Sequence, residues 1–427
     1  MYDYCISHTT LLDTSSEWHQ QTVHIYIHQG VIVKITHAQD SNLSKAHKSI
    51  EAKGTFCVPG LVAFLVDLPE PGFEYRDTLS NVSNAALASG FTDIVFLPNS
   101  SPVLQDSRSL QALQQQTKNL PIHCHFTCAI TKNAQGKELN EILELYHNGA
   151  IAFTDGIQPI QEPEILINAL RYIKPTNSLL IQIPIDFRIF YNGNISESPI
   201  TTGFGLKATP ILAETLMLQL LLACATYVGS PIHISPITTA HSLEILKTYD
   251  SFAFITTSTA LEYLIWDSNA VLNFDSTFKL HPPLQSSQHR QALIQALIED
   301  SVDAIAIRHS PKSLEEKEVE YEYALPGMLY LPFALPLAYQ ILCIENNFPL
   351  EKLIDKLGNS IRKILNLPTI HIAPGNEAKL TLFQKTEPTP FQWQKRYSKS
   401  SNYPHQLPPF ELKVKGIFNK GKWFSEQ

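Results

Sequence analysis

The chain lacks the features that would place it in several large classes. No hydrophobic run is long enough to cross a membrane. The most apolar stretches, 215–229 and 329–344, fall short of the ~18 residues a span needs, and Pro332 and Pro336 interrupt the second, so both are expected to be buried helices. There is no long basic run, and with a formal net charge of -8 this argues against a surface built to neutralise phosphates. Cysteine is sparse. Six residues, at 5, 57, 124, 128, 224 and 343, are too few for a disulfide framework and show no C-x-x-C spacing, which makes a reducing cytoplasm the expected setting. The opening MYDYCISHTTLLD has Asp3 and no basic segment ahead of an apolar one, so no secretory signal is expected. Charged residues make up only 17% of the chain against 44% hydrophobic, a balance that supports a sizeable core.

What is present falls into two patterns. Residues 23–35, VHIYIHQGVIVKI, alternate around Gln29-Gly30 and predict a β-hairpin. Near the other end, Lys379–Phe383 reads as a strand and 416–424, GIFNKGKWF, as another hairpin. The segment 385–409 between them is rich in Pro, Ser and aromatics with little periodicity. The two ends of the chain therefore predict one small β domain, from residues 1–57 and 369–427. Between them, over 58–368, eight short apolar runs alternate with helical stretches: 61–68, 91–97, 122–130, 150–154, 179–185, 231–237, 252–257 and 303–307. Helical periodicity separates them, as in 78–89, 139–147 and 211–227. Near-continuous apolar strands alternating with helices mean parallel strands covered on both faces. Eight such units are the count of a (β/α)8 TIM barrel. No glycine-rich phosphate loop follows the first run, which argues against an open doubly wound sheet.

Longer motifs are more specific. PGLVAFLVDLPEPGFEYRDTL (59–79), FTDIVFLPNSSPV (91–103), AITKNAQGKEL (129–139), AIAFTD (150–155), KLHPPLQSSQHRQAL (279–293), DAIAIRHSPKSLEEKEVEY (303–321), FALPL (333–337) and GNEAKLTLF (375–383) occur in one order along the chain. Together they resemble the dihydroorotase family of the amidohydrolase superfamily, in its long bacterial form. The resemblance runs from about residue 20 to 424 and implies the same barrel and split β domain. It also implies a chemistry in which two His of an H-x-H on strand 1, a carboxylate after strand 4, a His each from strands 5 and 6 and an Asp at strand 8 surround zinc. The metal supplies hydroxide, the strand 8 Asp moves the proton, and an Arg just after H-x-H takes the substrate carboxylate, aided by an Asn after strand 2.

Matched residue by residue, this chain departs from that pattern. The two His positions are Leu65 and Asp67, and the Arg position is Pro69. The strand 5 and strand 6 His positions are Ile183 and Pro236, and the strand 8 Asp position is Arg308. Of an Asp-Asp pair after strand 4, Asp155 remains and Gly156 replaces the second. Asn99 is kept, and the Asn before Pro-Pro in the strand 7 loop is His281. Leu, Ile and Pro offer a metal no lone pair, and Arg308 carries a permanent positive charge. The sequence therefore predicts no metal, no cofactor and no catalysis. Arg308 is expected to stand in for the cation, bridging Asp67, Asp155 or both.

Other polar residues read as structural. His123-Cys124-His125 is an H-x-H on strand 3 with no matching His cluster on strands 4 to 7, His233 reads as a core histidine, and His309 follows the strand 8 position. The resemblance extends to a non-catalytic homologue that partners aspartate transcarbamoylase. It implies a structural or regulatory subunit in pyrimidine biosynthesis, in homo- and hetero-oligomers, with no nucleic acid or membrane partner. Two other readings stay open: an amidohydrolase with an atypical metal site built from Asp67, Asp155, His123 and His125, and a small-molecule sensor that uses the emptied pocket.

Overall fold

The structure, a computed structural model, describes residues 2–40, 45–190, 193–198, 201–249, 253–394 and 396–425. Eight parallel strands follow one another around one sheet: Leu61–Val66, Phe91–Phe96, His123–Cys128, Ala152–Phe153, Leu180–Gln182, Ile232–Ile234, Ile255–Ala260 and Ala304–Ala306. They are called barrel strands 1 to 8 below. Strand 8 returns to strand 1 through Ile307 N donating to Phe64 O (2.9 Å) and Asp67 N donating to His309 O (3.0 Å). These are the eight apolar runs read from the sequence. Strand 7 is the one displaced: it reaches Ala260 rather than stopping at 257, and Phe252, assigned to it, lies outside the described residues.

Helices between the strands cover the barrel because their apolar faces have no other place to go. Leu79–Ala88 starts at Thr78, whose side chain accepts from Asn81 N, a hydrogen-bonded N-cap. Leu212–Val228 ends at Gly229, which supplies the left-handed conformation (φ 64°) that closes a helix. The expectation that this stretch is wholly buried is corrected. Met217, Leu218, Leu221 and Leu222 face the core, while Leu212, Leu216 and Tyr227 are 51%, 41% and 71% exposed. The second apolar stretch is buried from Leu329 to Gln340 but ends with Ile344 41% exposed, and it forms a chain of 3-10, α and π turns from Leu331 to Glu345 rather than one helix. Prolines placed there cannot donate to a continuous α ladder.

A second sheet joins both ends of the chain. Tyr2–Leu11, Thr22–His28, Val31–His37, Ala46–Glu51 and Thr55–Pro59 come from the start, and Leu380–Thr389, Phe410–Asn419 and Lys422–Phe424 from the end. Thr22–His28 and Val31–His37 pair antiparallel around Gln29 and Gly30, both with positive φ, the geometry that matches the twist of a two-residue hairpin. The strand expected over Lys379–Phe383 runs on to Thr389. The aperiodic segment after it folds as an aromatic cluster, with Phe391, Trp393, Tyr397 and Tyr403 stacked against one another and on Phe333.

Where barrel and sheet meet, Asp93 of strand 2 is fully buried at the N-terminal end of the barrel. It accepts from Arg362 Nη2 (2.5 Å), Lys379 Nζ (3.2 Å), His125 Nε2 (2.9 Å) and Thr92 Oγ1 (2.7 Å). Lys379 leads directly into the sheet strand Leu380–Thr389. The cluster is thus an ionic bolt between the two halves of the fold.

Candidate functional site

Barrel strand 1 does not end regularly. Its pairing with strand 2 slips between Phe64 and Val66, and Leu65 adopts a φ of 65°, a left-handed conformation that a bulky side chain rarely takes. Such a bulge re-aims side chains at the rim of a barrel. Leu65 and Asp67 line a cavity of about 270 Å³ at the C-terminal mouth, together with Asn99 after strand 2, Glu262 after strand 7, His281, and Arg308, Ser310 and Lys312 after strand 8. Leu97, Ile157, Leu280 and Met328 make much of the remaining wall apolar.

Loops close over this cavity and are tied down by charge. Arg76 forms a forked pair with Glu316 through Nε (2.9 Å) and Nη2 (2.5 Å), linking the loop after strand 1 to the helix Leu314–Lys317. Lys279 donates to the carbonyls of Tyr321 and Glu322, and Lys317 to those of Leu325 and Gly327. Burial lowers both amines, Lys279 to about 8 and Lys317 to about 7.

Inside, the charges are sorted into pairs. Asp67 Oδ2 accepts from Lys312 Nζ (3.1 Å) and Ser310 Oγ (2.5 Å), and Lys312 Nζ also donates to Ser310 Oγ (2.7 Å). Burial alone would raise the Asp67 carboxyl, but Lys312 and Ser310 outweigh it and hold it below its usual range. Glu262 accepts from Tyr330 Oη (2.5 Å) and lies 3.7 Å from Arg308 Nη1. Its own carboxyl is raised by burial despite the Arg308 charge. The expected bridge from Arg308 to Asp67 or Asp155 is therefore corrected: the carboxylate within ion-pair reach of Arg308 is Glu262. Asp67 is engaged by Lys312, and Asp155 accepts from Thr131 N (3.0 Å) and Thr131 Oγ1 (2.5 Å). Burial pushes Asp155 up to about 6.

Of the nine positions singled out from the sequence, Leu65, Asp67, Asn99, His281 and Arg308 come together on the cavity. Pro69 lines a narrower cleft beside it with Asp67, Phe73 and Asn99. Asp155 is buried beneath, and its carbonyl accepts from Asn99 Nδ2 (3.4 Å). Gly156, in place of the second Asp, holds φ 66°, and a Cβ there would meet Asn99 Oδ1 at 1.9 Å. Asn99 thus occupies space that a side chain at 156 would need. Ile183 belongs to a separate apolar cluster with Ile185, Phe190 and Ala213, and Pro236 is buried after strand 6. His281 packs on the rings of Phe187 and Phe190, and burial, reinforced by the Arg308 charge, lowers it to about 4.

The residues present do not fit the metal centre that the resemblance implies. Among the described residues no group of three or more His, Cys, Asp or Glu is placed to hold an ion. Asp155 spends both oxygens on Thr131, and Asp67 Oδ2 is taken by Lys312 and Ser310. The alternative set fails on topology: His123 and His125 open strand 3 at the bottom of the barrel, where His125 meets Asp93, whereas Asp67 stands at the mouth. Elemental analysis of purified protein is expected to find far less than one zinc per chain. A stoichiometric zinc resistant to mild chelation would overturn that reading of the donor set.

His233 is the satisfied core histidine read from the sequence, with Nδ1 3.0 Å from Thr256 Oγ1 and Nε2 2.9 Å from Ser258 Oγ. His309 is held at one nitrogen: its Nδ1 accepts from the backbone N–H groups of Tyr330 and Leu331, while its Nε2 is buried without a hydrogen-bond partner among the described residues. Glu262, Ser310, Lys312 and Tyr330 were missed. Ser310 and Lys312 lay in a quoted motif, two and four residues past Arg308, a spacing that follows the chain out along one side of the mouth.

The closed eight-stranded barrel, the mouth cavity and the sheet built from both ends define a barrel of amidohydrolase type. The family model described as Dihydro-orotase-like matches residues 54–242. "Dihydroorotase" of Carboxydothermus hydrogenoformans is 31% identical over 360 residues, covering 84% of this chain and 83% of the relative. "Dihydroorotase" of Syntrophus aciditrophicus is 31% identical over 360 residues, covering 84% of each. The chain belongs to the dihydroorotase-like family. The fold matches the L-hydantoinase (dihydropyrimidinase) of Arthrobacter aurescens with a TM-score of 0.88 at 17% identity, covering 100% of this chain and 96% of that one. These comparisons overturn the expectation that the chain is no enzyme, because relatives this similar carry the name of an enzyme and the structural neighbours are titled as hydantoinases. Among the described residues no helix is long and apolar enough to cross a membrane.

Proposed function

We propose that this dihydroorotase-family chain serves pyrimidine biosynthesis as a structural and regulatory partner of aspartate transcarbamoylase, and takes dihydroorotate or its open-chain acid at the barrel mouth. The observation that carries the ligand class is the convergence of Asp67, Asn99, His281 and Arg308 on one cavity, at the end of the barrel where the family's chemistry sits. The partner reading is supported by the open face of Leu212–Val228. Its one charged residue, Glu214, is buried, while Leu212, Leu216 and Tyr227 stand in solvent. A helix apolar on every side is normally covered. The partner reading also draws on the motif resemblance.

The test is co-purification with the same organism's transcarbamoylase, followed by size measurement and assay of both the transferase and the dihydroorotase reactions. A stable complex in which the transferase is faster or more heat-resistant is expected. A transferase that assembles and turns over equally well alone would sink the proposal.

A further inference from the structure

We propose that Arg308 is the carboxylate anchor of the mouth cavity, so that a ligand enters with its acid group against strand 8 and an amide N–H against Asn99. This deepens the ligand half of the proposed function and does not depend on the transcarbamoylase half.

The argument starts from unspent hydrogen-bonding capacity. A guanidinium carries five N–H donors in a planar fork. Among the described residues, the hydrogen bond made by the Arg308 side chain is a long one, Nη1 to Tyr263 Oη at 3.4 Å. Its ion pair with Glu262, at 3.7 Å, is beyond hydrogen-bond length, and Glu262 already accepts a short bond from Tyr330. The side chain is only 12% exposed, yet it lines the cavity. A planar, nearly buried cation with free donors facing an enclosed space matches a carboxylate, which can take two parallel N–H···O bonds from it.

The neighbouring charges leave this role to Arg308. Lys312 is neutralised by Asp67 and shares Ser310 with it, and Arg76 is forked onto Glu316. The position where family members carry the carboxylate-binding Arg is Pro69, whose ring has no donor and which lines the narrow side cleft instead. Asn99, after strand 2, lines the same cavity, and its Oδ1 is buried without a hydrogen-bond partner among the described residues. It is an acceptor, so it suits an N–H. Leu65, Leu97, Ile157 and Leu280 line the same cavity and offer an apolar surface for the face of a flat ring. About 270 Å³ is at the small end of ligand pockets. The class that meets all four conditions is a small ring amide or ureido acid bearing one carboxylate.

Titration calorimetry on the full chain, without partner, tests this with dihydroorotate, N-carbamoyl-aspartate and the carboxylate-free analogue dihydrouracil. Saturable binding of an acid is expected, with dihydrouracil at least about tenfold weaker, the worth of one lost charge-assisted contact. Arg308→Gln should weaken the acid by a similar factor and leave dihydrouracil unchanged. Arg308→Lys keeps a charge beside Glu262 and decides the matter if the Gln variant fails to fold: an ammonium cannot form the fork, so the acid should still weaken. Pro69→Ala should change neither ligand. Equal affinity for acid and uncharged analogue, an Arg308→Lys variant that binds the acid as tightly as the parent, or no binding of either acid would each overturn the anchor. Loss of the transcarbamoylase complex with acid binding intact would instead count against the partner half of the proposed function.

Discussion

Asp93→Ala is expected to cost the fold about 3–5 kcal/mol, the penalty for leaving buried charge without its counter-ion. Asp93 is fully buried and is approached by two cations that are themselves almost fully buried, Arg362 and Lys379, with side-chain exposures of 3% and 7%. Burial by itself would raise its carboxyl. The His125 hydrogen bond and the Arg362 and Lys379 charges outweigh burial and hold it well below the usual carboxylate range. A depressed carboxyl contributes stability that is present above its unfolded value and lost only as the pH falls through the folded one. The bolt therefore holds at neutral pH. With alanine at 93, two cations remain in a site that cannot solvate them, at the seam between barrel and sheet. Chemical denaturation should show the midpoint falling steeply. The double variant Asp93→Ala with Lys379→Met should recover part of the loss, because one stranded cation is removed with it. A loss below about 1 kcal/mol, the worth of an exposed ion pair, would show that water reaches the cluster and that it is no bolt.

Hydrophobic patterning made the architecture legible, since a strand covered on both faces announces itself as an apolar run. Strand 7 shows the limit of that signal. Its run FAFI drew attention to 252–257, yet the ladder extends through Thr257, Ser258 and Thr259, whose hydroxyls are buried in the barrel where Ser258 meets His233 and Ser235. A strand lined by hydroxyls does not look apolar. Ending it at 257 left Glu262, which opens the short helix Leu261–Ile265 directly after the strand, outside the residues considered for the site. The same limit explains the Arg308 expectation. That reading took its charges from motif positions, and so offered Asp67 and Asp155, whereas the carboxylate that reaches Arg308 comes from the adjacent strand 7 end. Pair identity depends on side-chain reach across neighbouring strands, which position in a motif does not encode. That Leu65, Ile183 and Pro236 offer a metal nothing, by contrast, needs no structure, because their side chains have no donor atom in any rotamer.

Acidification from pH 7 to 5 is expected to draw stability from each histidine that the fold buries in its neutral form. His233 and His309, both fully buried, are lowered by burial to about 3 from 6.5. A histidine held neutral in the fold but free to protonate when unfolded contributes stability above its unfolded value and loses it as the pH falls below. At one proton each, about 1.4 kcal/mol per pH unit below 6.5, these two remove roughly 2 kcal/mol apiece by pH 5. His123 and His281, both lowered to about 4, act in the same direction and with nearly the same weight down to pH 5, which is still above their folded values. Asp77 and Asp155 oppose them. Burial raises both to about 6, so below that value the fold gains protons that the unfolded chain does not yet bind. Glu214 and Glu262, raised by burial as well, add to that opposition, so the histidine contribution has to be read on one histidine at a time. His233→Gln isolates the effect. Glutamine can still hydrogen-bond Thr256 and Ser258 but cannot titrate, so the plot of stability against pH between 6.5 and 5 should flatten by about one proton's slope, whatever the change at pH 7. A variant whose slope matches the parent's would show that His233 is not held neutral, and the account of its burial between two hydroxyls would fall with it.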